Sequence, residues 1–258
     1  MDRVNILFRK RINFPLDEKI TFEHLDKVLK GMATTIPFEN LNIVEGRTKD
    51  LTEEHLATKI LGLSEGGLCY ELNPLLFLFL KENGFKVWMV RGIVYNHSGQ
   101  RWSGTGMTHV GILLAHEGKE YLVDGGFGGN LALKPVPLSG ETVSSITGEF
   151  RVERAETEFG DFLLYMKLKH KDQEWKVGYA FNTRERLMDV GDLNEVQKVI
   201  VEHPASAFNK KPLVTRLTDR GNVTLTEGTF TEWNDGKVQK KEITEEQFKE
   251  LAKDYFNL

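Results

Sequence analysis

The sequence predicts an α+β protein: a helical first third, a block of antiparallel strands, then a mixed remainder. Three observations carry this. Up to about residue 84 the apolar residues recur at helical spacing. From Phe85 the period becomes that of strands separated by turn signals. Near the end, Thr244-Glu245-Glu246-Gln247 has the form of a capping box, which marks a helix start.

In the first third, Phe22, Leu25, Val28 and Leu29 fall at helical spacing after Thr21, a candidate cap. Ile36-Pro37-Phe38-Glu39-Asn40-Leu41 interrupts the pattern. A second helix is expected over Thr52–Leu61, with a capped, acidic first turn. A third follows Glu65-Gly66-Gly67-Leu68-Cys69 and runs through the apolar stretch Leu75–Leu80 to Asn83-Gly84, a stop signal. Pro74 is tolerated only near that helix's start, which sets Cys69 at its mouth.

The strand block begins with Phe85–Tyr95. Residues 96–106 are polar and glycine-rich, as a loop is. Thr108–Ala115 and Glu120–Asp124, joined across His116-Glu117-Gly118-Lys119, form a hairpin signature. Further strands are expected at Gly148–Arg154, Phe162–Lys169 and Trp175–Phe181, enough for a small barrel or a sandwich. The last third holds a helix (Leu193–Glu202), a strand pair around Leu213–Thr218 and Val223–Thr226, and the capped C-terminal helix.

Composition narrows the function. With 40% hydrophobic and 28% charged residues, the chain has the make-up of an ordinary soluble globular protein. A net charge of −4 gives no reason to expect nucleic acid or an acidic membrane as partner. Met1–Phe14 carries charges at Asp2, Arg3, Arg9, Lys10 and Arg11 and lacks the long apolar segment of a signal peptide. One cysteine excludes an intramolecular disulfide and makes a reducing cytoplasm the expected location. A lone cysteine with scattered histidines offers no metal-ligand spacing.

That one cysteine is the candidate nucleophile. A helix N-terminus carries partial positive charge and unpaired N–H groups, both of which stabilise a thiolate. The two glycines before it are expected to let the loop bend and a substrate approach. The bland alternative is a small buried apolar cysteine, the common fate of the residue. His109 and Asp124 on the hairpin supply possible partners. If the turn holds an even number of residues, Gly111 faces Asp124, and His109 and Asp124 are diagonal neighbours on one face. Asp124 could then hold the imidazole in one tautomer while His109 takes the Cys69 proton. Taken singly, His109 is a strand histidine and Asp124 a turn residue. The glycines of Gly125-Gly126-Phe127-Gly128-Gly129 free backbone N–H groups that could cradle a phosphate-bearing cosubstrate.

Taken together, several segments resemble the arylamine N-acetyltransferases. Gly66-Gly67-Leu68-Cys69-Tyr70-Glu71-Leu72-Asn73 is similar to that family's cysteine motif. Pro37-Phe38-Glu39-Asn40-Leu41, Thr108-His109, Leu122-Val123-Asp124, Gly126-Phe127-Gly128, Ser206-Ala207-Phe208 and Arg11-Ile12 also match, in order. The resemblance implies a cysteine-protease-like core in three parts: a helical bundle (1–84), a β-barrel (85–190) and an α/β lid (191–258). It implies a Cys69-His109-Asp124 triad that carries acetyl from acetyl-coenzyme A to an arylamine, hydrazine or N-hydroxyarylamine by a ping-pong route. Phe38, Phe127 and Phe208 would line the acceptor pocket, and Gly126, Phe127, Gly128 and Phe208 would border the coenzyme cleft. The chain departs from the family at Glu65, where an arginine is expected, and at Gly125, which replaces a more usual apolar residue. The first predicts a less stabilised thiolate and the second a looser cleft. A papain-like or transglutaminase-like enzyme, or an inactive binding module of the same fold, are the rival assignments.

Overall fold

The computed structural model describes residues 3–258; Met1 and Asp2, part of the expected helical segment, lie outside the described residues. The first third contains α1 (Arg3–Arg11), a 3₁₀ turn (Phe22–His24) that runs into α2 (Leu25–Thr35), the two-residue β1 (Phe38–Glu39), α3 (Leu41–Val44), α4 (Glu53–Leu56) and α5 (Cys69–Glu82). The helix begun by Leu25, Val28 and Leu29 runs to Thr35, with Met32 and Ala33 continuing its buried stripe up to the expected interruption at Ile36. Thr52 caps α4 by accepting the His55 N–H at 3.0 Å. Beyond Leu56 this helix widens into a π-helical segment over Ala57–Gly62.

Helix α5 is the central element: every residue from Cys69 to Leu80 is buried. A helix apolar all round has no solvent face to offer, so it must be wrapped. It ends at Asn83-Gly84 as the sequence predicts, with Gly84 at φ +83°. Pro74 sits a turn deeper than the expected first-turn position. Its ring removes the N–H that would bond the Tyr70 carbonyl.

The strand block contains β2 (Lys86–Asn96), β3 (Arg101–Trp102), β4 (His109–His116), β5 (Lys119–Val123), β6 (Val136–Pro137), β7 (Val143–Ser144), β8 (Gly148–Thr157), β9 (Gly160–Leu168) and β10 (Lys176–Phe181). They form one antiparallel sheet in the order β6-β5-β4-β2-β10-β9-β8-β7, with β3 on β2. Since β6 also approaches β8, the sheet curls into a nearly closed barrel rather than a sandwich. Val90, Leu113, Leu122, Phe150, Val152 and Tyr179 fill it. The two-residue strands β3, β6 and β7 are absent from the sequence expectation because so short a piece has no period to detect.

The last third begins with a 3₁₀ turn (Val190–Leu193) and α6 (Asn194–Glu202), then β11 (Leu213–Thr218), β12 (Gly221–Thr226), β13 (Thr229–Asn234), β14 (Lys237–Glu242) and α7 (Glu245–Phe256). Thr244 caps α7 reciprocally with Gln247, at 3.3 and 3.0 Å. The expected strand pair is half of a meander, since β13 and β14 extend it. All six residues of β14, Lys-Val-Gln-Lys-Lys-Glu, are exposed, so the sequence shows no buried face there. Such charge on an edge strand discourages further pairing.

Two joins between remote segments position the site. Strand β1 pairs with β11, Phe38 opposite Thr215, which makes it the first strand of the five-stranded second sheet. The Asn40 side chain then donates to the carbonyls of Phe208 and Lys211 at 2.8 and 2.9 Å. In addition, Leu193, Val196 and Ile200 pack into the same apolar cluster as α5.

Candidate active site

Cys69 is the first residue of α5, 8% exposed, and its thiol donates to the Thr108 carbonyl at 3.6 Å. The turn before it is capped from within, because the Leu68 N–H donates to Glu71 Oε2 at 3.0 Å. The two glycines have a different purpose from the one expected. Neither adopts a positive φ. A Cβ on Gly66 would stand 2.1 Å from the Pro37 carbonyl oxygen, and one on Gly67 would stand 2.8 Å from Glu71 Oε2. They are small so that the loop can press against the Pro37–Glu39 segment and the capping carboxylate.

The hairpin has the even turn that the diagonal pairing requires. His116 pairs with Lys119 across two residues, and Ile112 faces Val123, a register that carries Gly111 opposite Asp124. His109 Nε2 donates to Asp124 Oδ2 at 2.8 Å, with both side chains almost fully buried. This leaves Nδ1 as the second ring nitrogen, and Cys69 lines the same cavity as the ring. Burial works against charge on His109, but Asp124 and Cys69 outweigh it and raise its pKa. Burial likewise opposes charge on Asp124; His109 and the other donors overcome it and lower its pKa. An imidazolium beside a carboxylate is thus favoured, which is the state that stabilises a neighbouring thiolate.

Asp124 is held by more than His109. Oδ2 also accepts from the Tyr179 hydroxyl at 2.8 Å, and Oδ1 accepts from Asn73 Nδ2 and the Gly126 N–H, each at 2.8 Å. Asn73 is completely buried and donates further to the Val110 carbonyl at 2.6 Å, while its Oδ1 accepts the Gly125 N–H at 2.8 Å. It ties the cysteine helix to the aspartate loop. Sequence reasoning gave neither Asn73 nor Tyr179 a role. Asn73 had a signal, since it stands four residues after Cys69 on the same helix face. Tyr179 had none, because nothing local says which strand of the barrel will face Asp124.

These same contacts change the expected anion cradle. The N–H groups of Gly125 and Gly126 are already committed to Asn73 and Asp124. Those of Phe127, Gly128 and Gly129 make no hydrogen bond among the described residues. A Cβ on Gly126 would stand 2.8 Å from Cys69 Cα, so this glycine sets how closely the loop covers the cysteine. At Gly125 the expected looseness is missing, because Met32 Sδ would lie 2.8 Å from an added Cβ and fills the space.

Cys69 and His109 open on a cavity of about 490 Å³. Phe38, Phe127 and Phe208 line it with Gly126 and Gly128, so every expected pocket residue borders one space. The Phe38 and Phe208 rings meet edge to face at 5.7 Å. The loop 101–105, read from sequence only as a polar connection, forms another wall. Among the described residues no group of three or more His, Cys, Asp or Glu side chains could hold a metal, and no helix is long and apolar enough to cross a membrane.

Glu65 is engaged away from the sulfur. Asn42 Nδ2 donates to its Oε2 at 3.0 Å, and Arg47 Nη1 lies 3.7 Å from its Oε1. Its charge is already answered by a cation that the sequence did not identify. Iodoacetamide labelling of Cys69 against pH is therefore expected to give the same midpoint in the parent and in Glu65→Arg. A midpoint that falls by about one pH unit, the size of the unscreened two-charge effect at roughly 10 Å, would restore direct coupling between residue 65 and the thiolate.

Comparison with known proteins gives a consistent set. A family model described as N-acetyltransferase matches residues 21–258. An uncharacterized acetyltransferase of Bacillus subtilis is 41% identical over 93% of this chain and 92% of its own length. Among solved structures, an arylamine N-acetyltransferase from Bacillus cereus, with a Cys-His-Glu catalytic triad, superposes with a TM-score of 0.95 at 39% identity, covering 100% of this chain and 99% of that one. An arylamine N-acetyltransferase from Mycobacterium marinum, solved in complex with coenzyme A, superposes with a TM-score of 0.84 at 25% identity over 98% of this chain and 92% of that one.

Proposed function

Because the chain belongs to the arylamine N-acetyltransferase family, we propose that it carries acetyl from acetyl-coenzyme A to an aromatic amine, hydrazine or N-hydroxyarylamine through an acetyl-Cys69 intermediate. One observation carries this: Cys69 and His109 stand together at the wall of a cavity bordered by three phenylalanines, with His109 hydrogen-bonded to Asp124.

The chemistry follows from the contacts. His109 takes the Cys69 proton, and Asp124 fixes its Nε2–H and stabilises the imidazolium. The thiolate attacks the thioester carbonyl of acetyl-coenzyme A. The bond from the acetyl carbon to the coenzyme sulfur breaks, and the coenzyme leaves as a thiol with the proton held on His109. An arylamine then attacks the acetyl-Cys69 carbonyl. His109 accepts the amine proton and returns it to the departing Cys69 sulfur, so charge and protons balance over the cycle. The acid here is Asp124, whereas the Bacillus cereus relative uses glutamate. Phe38, Phe127 and Phe208 suit a flat aromatic acceptor. The open N–H groups of Phe127, Gly128 and Gly129 suit the phosphates of the cosubstrate.

On this assignment each segment supplies one part: 1–84 the nucleophile, 85–190 the base and acid, 191–258 the Phe208 wall. A reducing cytoplasm fits an enzyme whose one cysteine must remain a thiol. The test is a mass spectrum of the protein mixed with acetyl-coenzyme A. One acetyl group is expected on Cys69, and an added arylamine should remove it. A protein that never gains the mass, or loses it to water as fast as to amine, belongs with the hydrolase or binding-module alternatives.

A further inference from the structure

One charged group near Cys69 has no part in the mechanism above. Lys59, in the π-helical segment, is 3% exposed. Its Nζ lies 2.6 Å from Glu71 Oε1 and 3.6 Å from Glu39 Oε1, and those two carboxylates are buried as well. None of the three lines the cavity, so none can touch substrate there. A π-helical segment is an uncommon conformation that tends to occur at functional sites. A buried ammonium with no partner is strongly disfavoured, and a buried pair is kept only when its remaining polar atoms are satisfied.

One of those remaining atoms holds the cysteine loop directly, and the other secures the segment packed against it. The second oxygen of Glu71 accepts the Leu68 N–H, the donor immediately before Cys69. The second oxygen of Glu39 accepts the Leu41 N–H at 2.6 Å. The Glu39 N–H donates to the Gly67 carbonyl at 3.1 Å, and the Gly67 N–H donates to the Pro37 carbonyl at 3.3 Å. Gly66 and Gly67 therefore lie between the Pro37–Glu39 segment on one side and the Glu71 cap on the other. Lys59 is the cation common to both sides, and its own carbonyl accepts the Glu65 N–H at 3.1 Å.

Resting on the assignment of Cys69 as nucleophile, we propose that Lys59 is a positioning residue: its ammonium locks Glu71 and Glu39 in place and thereby fixes the Gly66–Cys69 turn and the sulfur against His109. Residue 65 cannot supply this cation, being a glutamate occupied by Asn42 and Arg47. Burial disfavours charge on Lys59, but Glu71 and Glu39 outweigh it and raise the pKa, so the amine stays protonated. Burial raises the pKa of Glu39, and Lys59 is the main influence opposing that. Without Lys59, Glu39 is pushed toward its protonated form and Glu71, two residues from Cys69, loses its partner at 2.6 Å. Displacement of a reacting atom by about 1 Å can cost roughly a hundredfold in rate.

The experiment is iodoacetamide labelling of Cys69 at one pH, expressed per folded molecule, beside steady-state acetyl transfer. In Lys59→Met, labelling and kcat should both fall by roughly tenfold or more, with the acceptor KM nearly unchanged. Lys59→Arg, whose guanidinium can serve two carboxylates, should remain within a few-fold of the parent. A Lys59→Met protein that melts at a lower temperature but labels at the parent rate overturns the proposal and leaves a purely structural lysine. If Lys59→Met fails to fold, Lys59→Met/Glu71→Gln removes the orphaned charge. Slow labelling of that folded double variant supports the proposal, and parent-rate labelling overturns it. Labelling requires no acetyl-coenzyme A, so failure of the acetyl-transfer assignment would be seen separately, in the mass spectrum.

Discussion

Cys69→Ser is expected to bind coenzyme A as the parent does and to lose acetyl transfer by several orders of magnitude. The loss should approach the roughly 10⁶-fold drop that follows removal of a nucleophile from a serine triad. The contacts explain why so small a change is so costly. The imidazole that must take the nucleophile's proton is buried, which works against its charge, but Asp124 and Cys69 raise its pKa. A serine hydroxyl gives up its proton far less readily, so the same base leaves it neutral and weakly nucleophilic. Binding need not suffer, because the phenylalanines and the open loop N–H groups are untouched. The parent should give parallel initial-rate plots against acetyl-coenzyme A and acceptor, the mark of a covalent intermediate. Intersecting plots, or a serine variant within about tenfold of the parent, would remove the acetyl-cysteine from the mechanism.

Asp124→Asn should reduce kcat by roughly 10³–10⁴, as the equivalent change does in a serine triad. That is about 4–5.5 kcal/mol of transition-state stabilisation at 1.36 kcal/mol per decade. Asp124 accepts four hydrogen bonds, from His109 Nε2, the Tyr179 hydroxyl, Asn73 Nδ2 and the Gly126 N–H. An amide must turn its NH₂ toward one of these two pairs of donors. Turned toward His109, it drives the ring proton to Nδ1, and the base can no longer receive the Cys69 proton. Turned toward Asn73 and Gly126, it leaves two buried donors unpaired, at about 1–3 kcal/mol for each unsatisfied group. Thermal unfolding of the variant should therefore show a lower melting temperature together with the lost rate. An activity within about tenfold of the parent, roughly 1.4 kcal/mol, would take Asp124 out of the mechanism.

Where short-range pattern specified geometry, the sequence was legible. The glycine pair, the single cysteine and the apolar run of α5 located Cys69 at a helix mouth. The two-residue Glu117-Gly118 turn set the parity that places His109 and Asp124 on one face, and period-two alternation then carried the register four residues further. The capping pairs Thr52 with His55 and Thr244 with Gln247 were visible for the same reason, as contacts between residues three apart. The phenylalanines of the pocket, by contrast, came from family likeness. Nothing in the local sequence of Phe38 or Phe208 says that they will meet.

What the tertiary structure alone decided are pairings between residues far apart in the chain. Strand β1 joins β11 across 177 residues between Phe38 and Thr215, and this brings two walls of the cavity together. Tyr179 reaches Asp124 across 55 residues. The charge that matters beneath the cysteine loop was also invisible. Glu65 looked decisive because it is four residues from Cys69, but it is held by Asn42 and Arg47, while Lys59 stands between Glu71 and Glu39. Even the two glycines were seen but misread, since their smallness is set by Pro37 and Glu71 pressing on them rather than by their own backbone angles. Periodicity records which face of an element is buried; which other element will cover that face, and which charge will be sealed beneath it, depends on packing and burial that exist only once the chain has closed on itself.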